Sequence, residues 1–88
     1  LDLSGRPYFC HDLRLAGVRV GAFEAELAPH FFHSLATQAA LTLHVRLLAG
    51  SDTHHIVEAV FKGVARALDD ACARHGLDDA VPSTKGTL

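Results

Sequence analysis

Two adjacent histidines followed one turn later by a glutamate (His54, His55 and Glu58) are the residues that most clearly could do chemistry. On a helix, residues three or four positions apart lie on the same side and can touch. His54 and Glu58 could therefore hold one divalent ion, since imidazole and carboxylate suit several first-row metals. His55 points about 100° away from His54 and would aim at a different place, so the run is typical of half of a metal site or of parts of two half-sites. The run also fits a solvated helix start with two ordinary histidines.

Other histidines could complete such a site. The motif contains no cysteine, which excludes a thiolate zinc centre, and its order differs from the His-Glu-x-x-His of zinc proteases. His30 follows Pro29 at the start of an earlier predicted helix. Helix starts often meet at one edge of a two-layer fold, so His30 and His54 could converge. A histidine kept neutral by the helix dipole fits His30 equally well. His44, within a predicted strand, is expected to be packed and hydrogen-bonded.

A second group of residues suits a phosphate. The C-terminal run contains Ser83, Thr84, Lys85 and Gly86. Hydroxyls and an ammonium can hold a phosphate, and glycine allows backbone N–H groups to approach closely. A flexible, solvated terminus fits the same composition. Two further cations are candidates for this site: Arg6, after a glycine, and Lys62, which could instead be a simple ion partner of Glu58.

The hydropathy pattern places these residues on five elements. Asp52 or Thr53 is a suitable N-cap for the last helix, and Gly76 is the expected C-cap. The order strand, strand, helix, strand, helix predicts an α+β two-layer sandwich, with a small, mostly antiparallel sheet and two helices on one face. The predicted strands are 2–10, entered or broken at Pro7, 16–23 and 41–48, and the predicted helices are 29–39 and 54–75.

Each predicted helix has an apolar stripe that should be buried. The first stripe consists of Phe32, Leu35, Ala36 and Ala39. The second consists of Ile56, Val60, Phe61, Val64, Leu68, Ala71 and Cys72.

Composition limits the function classes. The 88 residues predict one domain, and hydrophobic residues make up 49% with a mean hydropathy of +0.18. A domain this small has a thin core, so this apolar content indicates a face covered by another subunit. The net charge of −2 argues against a general nucleic-acid binder. No apolar run is long enough to span a membrane, and no signal peptide is visible, so the cytoplasm is the expected location. Cys10 and Cys72 lie in different elements, and a disulfide between them is not expected.

Taken together, six short motifs resemble imidazoleglycerol-phosphate dehydratase of histidine biosynthesis. They occur in the family's order and cover nearly the whole chain. The motifs are Ser-Gly-Arg-Pro at 4–7, His-Phe-Phe at 30–32, Thr-Leu-His at 42–44, His-His-Ile-Val-Glu-Ala-Val-Phe-Lys at 54–62, Ala-Arg-Ala-Leu at 65–68 and Pro-Ser-Thr-Lys-Gly at 82–86.

The resemblance implies a fold, a reaction and a set of roles. The family chain contains two similar α+β halves, related to a ribosomal-protein domain fold, in large symmetric assemblies with manganese between subunits. The implied reaction dehydrates imidazole glycerol phosphate to imidazole acetol phosphate, with manganese stabilising the anionic imidazole. By the family pattern, the manganese ligands are His30, His54, His55 and Glu58, the catalytic residues are Glu58 and His55, and the phosphate is held by Arg6, Lys62, Ser83 and Lys85.

The resemblance covers only the family's second half, so residues 1–88 would be one domain equivalent to that repeat. The first half, with its own HHxxE motif and a glutamate for proton transfer, has no counterpart here. Three interpretations follow: a catalytic half that works with the missing half or with another copy, a metal-binding and self-associating half-domain with little turnover, or a non-enzymatic domain with incidental histidines.

Overall fold

The computed structural model describes residues 1–73 of the 88-residue chain. Two helices and four short strands follow one another in this part. The elements, in chain order, are β1 (Tyr8–His11), β2 (Arg19–Val20), β3 (Phe23–Glu24), α1 (Leu27–Ala39), β4 (Thr42–Val45) and α2 (Thr53–Cys72).

The strands form two separate pairs. β1 and β4 pair in parallel, with Tyr8 opposite Thr42, whereas β2 and β3 form an antiparallel hairpin. The α+β class with two helices is confirmed, but the expectation of one mostly antiparallel sheet is corrected, because the longer pair is parallel. The connection explains the direction: the chain reaches β4 through helix α1, and a helical crossover returns the next strand in the same direction.

The predicted first strand is regular only after its proline. Asp2 makes an isolated antiparallel bridge to Thr42, and β1 begins at Tyr8, directly after Pro7. The single strand predicted over 16–23 is wrong. Gly21 takes a φ of 61°, which suits the first position of a two-residue hairpin turn, so the segment folds back as β2 and β3.

Helix α1 begins two residues earlier than predicted. Pro29 occupies its third position, where a missing N–H costs nothing, since the first four N–H groups of a helix have no partner within it. The helix ends at Ala39 as predicted, and Ala40 takes the left-handed conformation with a φ of 52°. Its buried residues are Ala28, Phe32 and Ala36, whereas Ala39 is exposed.

Strand β4 is shorter than the predicted 41–48. The Asp12 Oδ1 accepts a hydrogen bond from the Leu47 N–H at 2.7 Å. This side-chain bond replaces a strand-to-strand bond, so the β1–β4 ladder ends after Val45. The alternation is nevertheless correct at its centre, because Leu41 and Leu43 are buried. His44 is exposed on the other face, so the expectation that it is packed is wrong. Its ring lies 5.5 Å from the Tyr8 ring, centroid to centroid.

Helix α2 begins one residue before the predicted start and ends three residues before the predicted end. Asp52 is its N-cap, with its side chain accepting the His55 N–H. The last helical residue is Cys72. Asp69 and Asp70 lie in the last turn, where negative charge is unfavourable against the helix dipole. Gly76, the predicted C-cap, lies outside the described residues.

Both helices pack on one face of the β1–β4 pair. One buried cluster joins α1, β4 and α2 through Phe32, Leu43 and Val64, which confirms helices on one face. A second cluster contains Leu13, Leu15 and Ala25. Along α2, all of which is described, Val64 is the only buried residue, Phe61 is 37% exposed and Cys72 is exposed. The predicted α2 stripe is therefore only partly covered.

Length explains the exposure of α2. A 20-residue helix is about 30 Å long, whereas a four-residue strand spans only about 13 Å. The sheet is too short to cover the helix. Over residues 1–73, no helix is both long and apolar enough to cross a membrane.

Candidate functional site

His54 and Glu58 lie side by side in the first turns of α2. The His54 Nε2 is 3.8 Å from the Glu58 Oε2, and both side chains are exposed. Two neighbouring ligands of an octahedral ion, each about 2.1 Å from it, stand roughly 3 Å apart. A small rotamer adjustment would bring these two atoms to that separation. The prediction that the two side chains share one side of the helix is confirmed.

His55 has a different neighbour. Its backbone N–H donates to the Asp52 Oδ1 at 3.1 Å, and its Nδ1 lies 4.0 Å from the Asp52 Oδ2. The ring centroids of His54 and His55 are 5.9 Å apart, and the His55 ring is largely exposed. The two imidazoles thus have different carboxylate neighbours, Glu58 beside His54 and Asp52 beside His55.

Glu58 also has a cationic neighbour. The Lys62 Nζ lies 2.9 Å from the Glu58 Oε1, one turn further along α2. This hydrogen bond and the ammonium charge hold the pKa of Glu58 below its ordinary value, with smaller contributions from the two histidines. The carboxylate is therefore ionised at neutral pH, as a metal ligand must be.

The donor chemistry fits manganese, although the chain brings only part of a coordination shell together. Imidazole and carboxylate are suitable ligands for this ion. Within residues 1–73, no three histidine, cysteine, aspartate or glutamate side chains are close enough to hold a metal together. His54 and Glu58 could thus provide two ligands, and the remaining ligands would have to come from outside the described residues.

The other proposed ligand and the C-terminal phosphate residues are not part of this pair. His30 is exposed in the first turn of α1 and joins no three-residue metal group in the described part of the chain. Its predicted convergence with His54 is therefore not seen as a cluster within one chain. Ser83 and Lys85 lie outside the described residues.

Arg6 lies in the turn before β1, with its backbone fixed by two hydroxyls. The Ser4 Oγ and the Thr42 Oγ1 both donate to the Arg6 carbonyl, at 3.1 and 3.0 Å, and the hydroxyls are 2.8 Å apart. The side chain is exposed. This turn adjoins the start of β4, since Thr42 is the first residue of that strand.

Two supporting interactions were not predicted from the sequence. One is the Ser4–Thr42 hydroxyl pair beneath Arg6; the Ser-x-Arg spacing was a local signal, since serine often bonds to the backbone two residues on. The other is the contact between the carboxylate of Asp52 and the ring of His55. Here the predicted N-cap was the available signal, because the side chain at the third helical position lies near the cap.

A cavity of about 670 Å³ runs between β4 and α2. Asp52 and His55 line one end of it, and mostly apolar residues line the rest, among them Leu43, Val45 and Val60. His55 is thus the residue of the motif that lines this open cavity, whereas His54 and Glu58 are not part of the lining.

Comparison with known proteins identifies the family. A family model described as imidazoleglycerol-phosphate dehydratase matches residues 1–68. The chain belongs to the imidazoleglycerol-phosphate dehydratase family. The matched range contains the whole HHxxE motif, Lys62 and Arg6, and it ends before Ser83 and Lys85.

Similar proteins carry the family name in bacteria and plants. The imidazoleglycerol-phosphate dehydratase of Caldanaerobacter subterraneus is 51% identical over 88 residues, which are 100% of this chain and 45% of the relative. Imidazoleglycerol-phosphate dehydratase 1, chloroplastic, of Arabidopsis thaliana is 48% identical over 91 residues, covering 100% of this chain and 33% of the relative.

A solved structure of the family has the same fold. The crystal structure of imidazoleglycerol-phosphate dehydratase from Staphylococcus aureus matches with a TM-score of 0.75 and 44% identity, over 80% of this chain and 41% of that chain. The chain therefore spans less than half the length of these relatives.

Proposed function

We propose that this chain is one half of a manganese-dependent dehydratase that converts imidazole glycerol phosphate to imidazole acetol phosphate in histidine biosynthesis. The observation that carries the proposal is the His54–Glu58 pair at the start of α2, with 3.8 Å between the two ligand atoms, in a chain of the imidazoleglycerol-phosphate dehydratase family. Because the chain covers 45% of a relative such as the Caldanaerobacter subterraneus protein, the complete activity would require a second half or a second copy.

In the proposed reaction, a proton and a hydroxide leave neighbouring carbons of the substrate as water, and the resulting enol becomes a ketone. Bound manganese would supply positive charge that stabilises the anionic imidazole of the substrate. Glu58 would hold its ion as a carboxylate, since Lys62 keeps the Glu58 pKa low. His55 would work beside the cavity between β4 and α2, with its ring oriented by Asp52.

Residues from several parts of the family pattern would complete this site. His30, exposed on α1, would ligate manganese across a subunit contact. Its separation from His54 agrees with that proposal, because a ligand that serves another chain need not lie near its own motif. Arg6, Lys62, Ser83 and Lys85 would hold the phosphate. Arg6, exposed in the turn beside the start of β4, would serve a neighbouring chain.

Exposed apolar residues support assembly with another chain. Phe31 on α1 is 51% exposed and Phe61 on α2 is 37% exposed, and their ring centroids lie 5.5 Å apart. Together they form an aromatic patch on the two helices. Covering such a patch would remove apolar surface from water, so we propose a homo-oligomer with metal at its subunit interfaces.

A metal-binding, self-associating half-domain with little turnover is the second candidate. It is favoured by the incomplete ligand set, since within residues 1–73 no three histidine, cysteine, aspartate or glutamate side chains are close enough to hold a metal together. In this alternative, the manganese ligands and the aromatic patch keep their roles, but proton transfer is slow because a glutamate from the other half is missing.

The proposed partners are the small-molecule substrate and copies of the chain. The net charge of −2 supports no general role in nucleic-acid binding, and no role at a membrane is proposed. A location in the cytoplasm stays a prediction, and the Arabidopsis thaliana relative carries the word chloroplastic in its name.

Turnover of imidazole glycerol phosphate in saturating manganese tests the proposal. The chain would be mixed with the remaining half of the Caldanaerobacter subterraneus relative. We expect measurable product, and a loss of about 100-fold or more in Glu58→Gln, because a direct ligand should matter at least as much as the outer-shell groups around a metal. Glu26→Gln, the same change at the exposed glutamate that precedes α1, should keep the rate. Absence of product in every mixture would exclude catalysis and leave the half-domain alternative.

A further inference from the structure

The Glu58 carboxylate lies between His54, which could bind a metal with it, and Lys62, which a metal would repel. Its Oε2 faces the His54 Nε2 at 3.8 Å, and its Oε1 contacts the Lys62 Nζ at 2.9 Å. Lys62, Glu58 and His54 follow one another at spacings of four along one side of α2. The ammonium therefore stands directly beside the position at which a cation would sit.

A divalent cation at this position would weaken the ion pair. It would draw charge from the Glu58 carboxylate, and it would repel the ammonium across a distance of a few Å. Lys62 can respond, since its side chain is largely exposed and a lysine has a flexible stem with three rotatable donors. The exposed ion pair itself is weak and can be exchanged readily.

We propose that Lys62 is a displaceable counter-ion of the metal site: capture of manganese by His54 and Glu58 releases the Lys62 ammonium, which then holds the phosphate of the ligand. The inference rests on the proposed function for the identity of the metal and the phosphate. It adds an order of events, metal before phosphate, and it gives Lys62 a positioning role that depends on the state of Glu58.

The coupling between the two ligands must be reciprocal. If manganese frees Lys62 for a phosphate, a bound phosphate must also strengthen manganese binding by the same factor, because both affect one equilibrium. Without phosphate, the Lys62 charge lowers manganese affinity. With phosphate bound, that charge is neutralised and manganese affinity is no longer lowered. If Lys62 binds phosphate without first being released from Glu58, it would have little effect on manganese affinity, with or without phosphate.

Manganese affinity of the 88-residue chain provides the test, measured by water-proton relaxation with and without methyl phosphate. We expect Lys62→Gln to bind manganese about threefold or more tightly than wild type when methyl phosphate is absent, because a repelling charge is gone. Methyl phosphate should tighten manganese binding in wild type and have no effect in Lys62→Gln. Arg66→Gln, which removes the same charge one turn further along, should behave as wild type does.

The outcomes separate this inference from the proposed function. Equal manganese affinity of Lys62→Gln and Arg66→Gln would overturn the counter-ion role, provided that His54→Ala abolishes binding and thereby locates the metal. Manganese binding in His54→Ala equal to that of wild type would show that the metal is not held at the His54–Glu58 pair, and the proposed function and this inference would fail together. No manganese binding by the wild-type chain would overturn this inference, whereas the proposed function is tested separately by turnover with the remaining half. Circular dichroism of each variant checks that α2 remains folded.

Discussion

Asp52 joins the start of helix α2 to the proposed site. Its Oδ1 accepts the His55 N–H at 3.1 Å, and its Oδ2 stands 4.0 Å from the ring nitrogen of the same residue. The backbone hydrogen bond is the main reason that the pKa of Asp52 lies below its ordinary value, and the nearby histidine charges contribute further. One carboxylate thus caps the helix and lies beside the ring of a proposed ligand.

We expect the stabilisation from Asp52 to be present at neutral pH and lost in acid. Because its folded pKa is lowered, the contribution is complete above the ordinary value of about 4 and falls as the pH drops through the lowered pKa. Asparagine caps helices as well as aspartate but does not titrate. In thermal melts, Asp52→Asn should match wild type near neutral pH and melt a few degrees higher in acid. The same pH dependence in both proteins would contradict this account, and Asp52→Ala should be destabilised at neutral pH.

Strand β4 connects the sheet with both helices. Leu43, at its centre, is 2% exposed and belongs to the cluster that contains Phe32 of α1 and Val64 of α2. Leu48, just beyond the end of the strand, is 88% exposed. Two leucines five residues apart therefore have opposite environments, and they offer a matched comparison of burial.

Leu43→Ala should destabilise the domain by about 2–5 kcal/mol, the usual cost of emptying a buried leucine site. In a domain with so thin a core, this loss is a large part of the total stability. Leu48→Ala removes the same atoms from an exposed site and should change the free energy of unfolding by less than about 0.5 kcal/mol. Urea unfolding measures both free energies of unfolding. Similar losses of stability in the two variants would contradict the burial of Leu43 and the exposure of Leu48.

Local signals were predictable from the sequence, whereas long-range pairings were not. The N-cap at Asp52 and the end of α1 at Ala39 follow from nearby residues, and both are confirmed. The direction of β1 against β4 depends on the path through α1. The end of the ladder after Val45 depends on the bond from the Leu47 N–H to Asp12, more than 30 residues away in the chain. Alternating residues cannot reveal either contact.

The same distinction applies to the candidate site. The His54–Glu58 contact follows from helical spacing alone and is present. The predicted convergence of His30 with His54 required a tertiary contact, and the described residues contain no such three-ligand group. Sequence patterns therefore predicted the contact between two candidate ligands, but not which other residues lie near them in space.

At the scale of the whole molecule, the exposed helices and the incomplete ligand set favour the same conclusion. Helix α2 has one buried residue, Val64, and the aromatic patch of Phe31 and Phe61 is partly open to water. His54 and Glu58 offer two ligands where a transition metal usually takes four to six. Association with further chains would cover the helices and complete the shell in a single step.

The most direct test of this account is the mass of the chain in solution, measured by light scattering with manganese and then with excess chelator. We predict assemblies well above the 9.4 kDa monomer when manganese is present and smaller species after chelation. His54→Ala should give the smaller species in both conditions, whereas His33→Ala, an exposed histidine outside the proposed ligand set, should respond as wild type does. A monomer in both conditions would contradict the claim that the His54–Glu58 motif joins chains through metal.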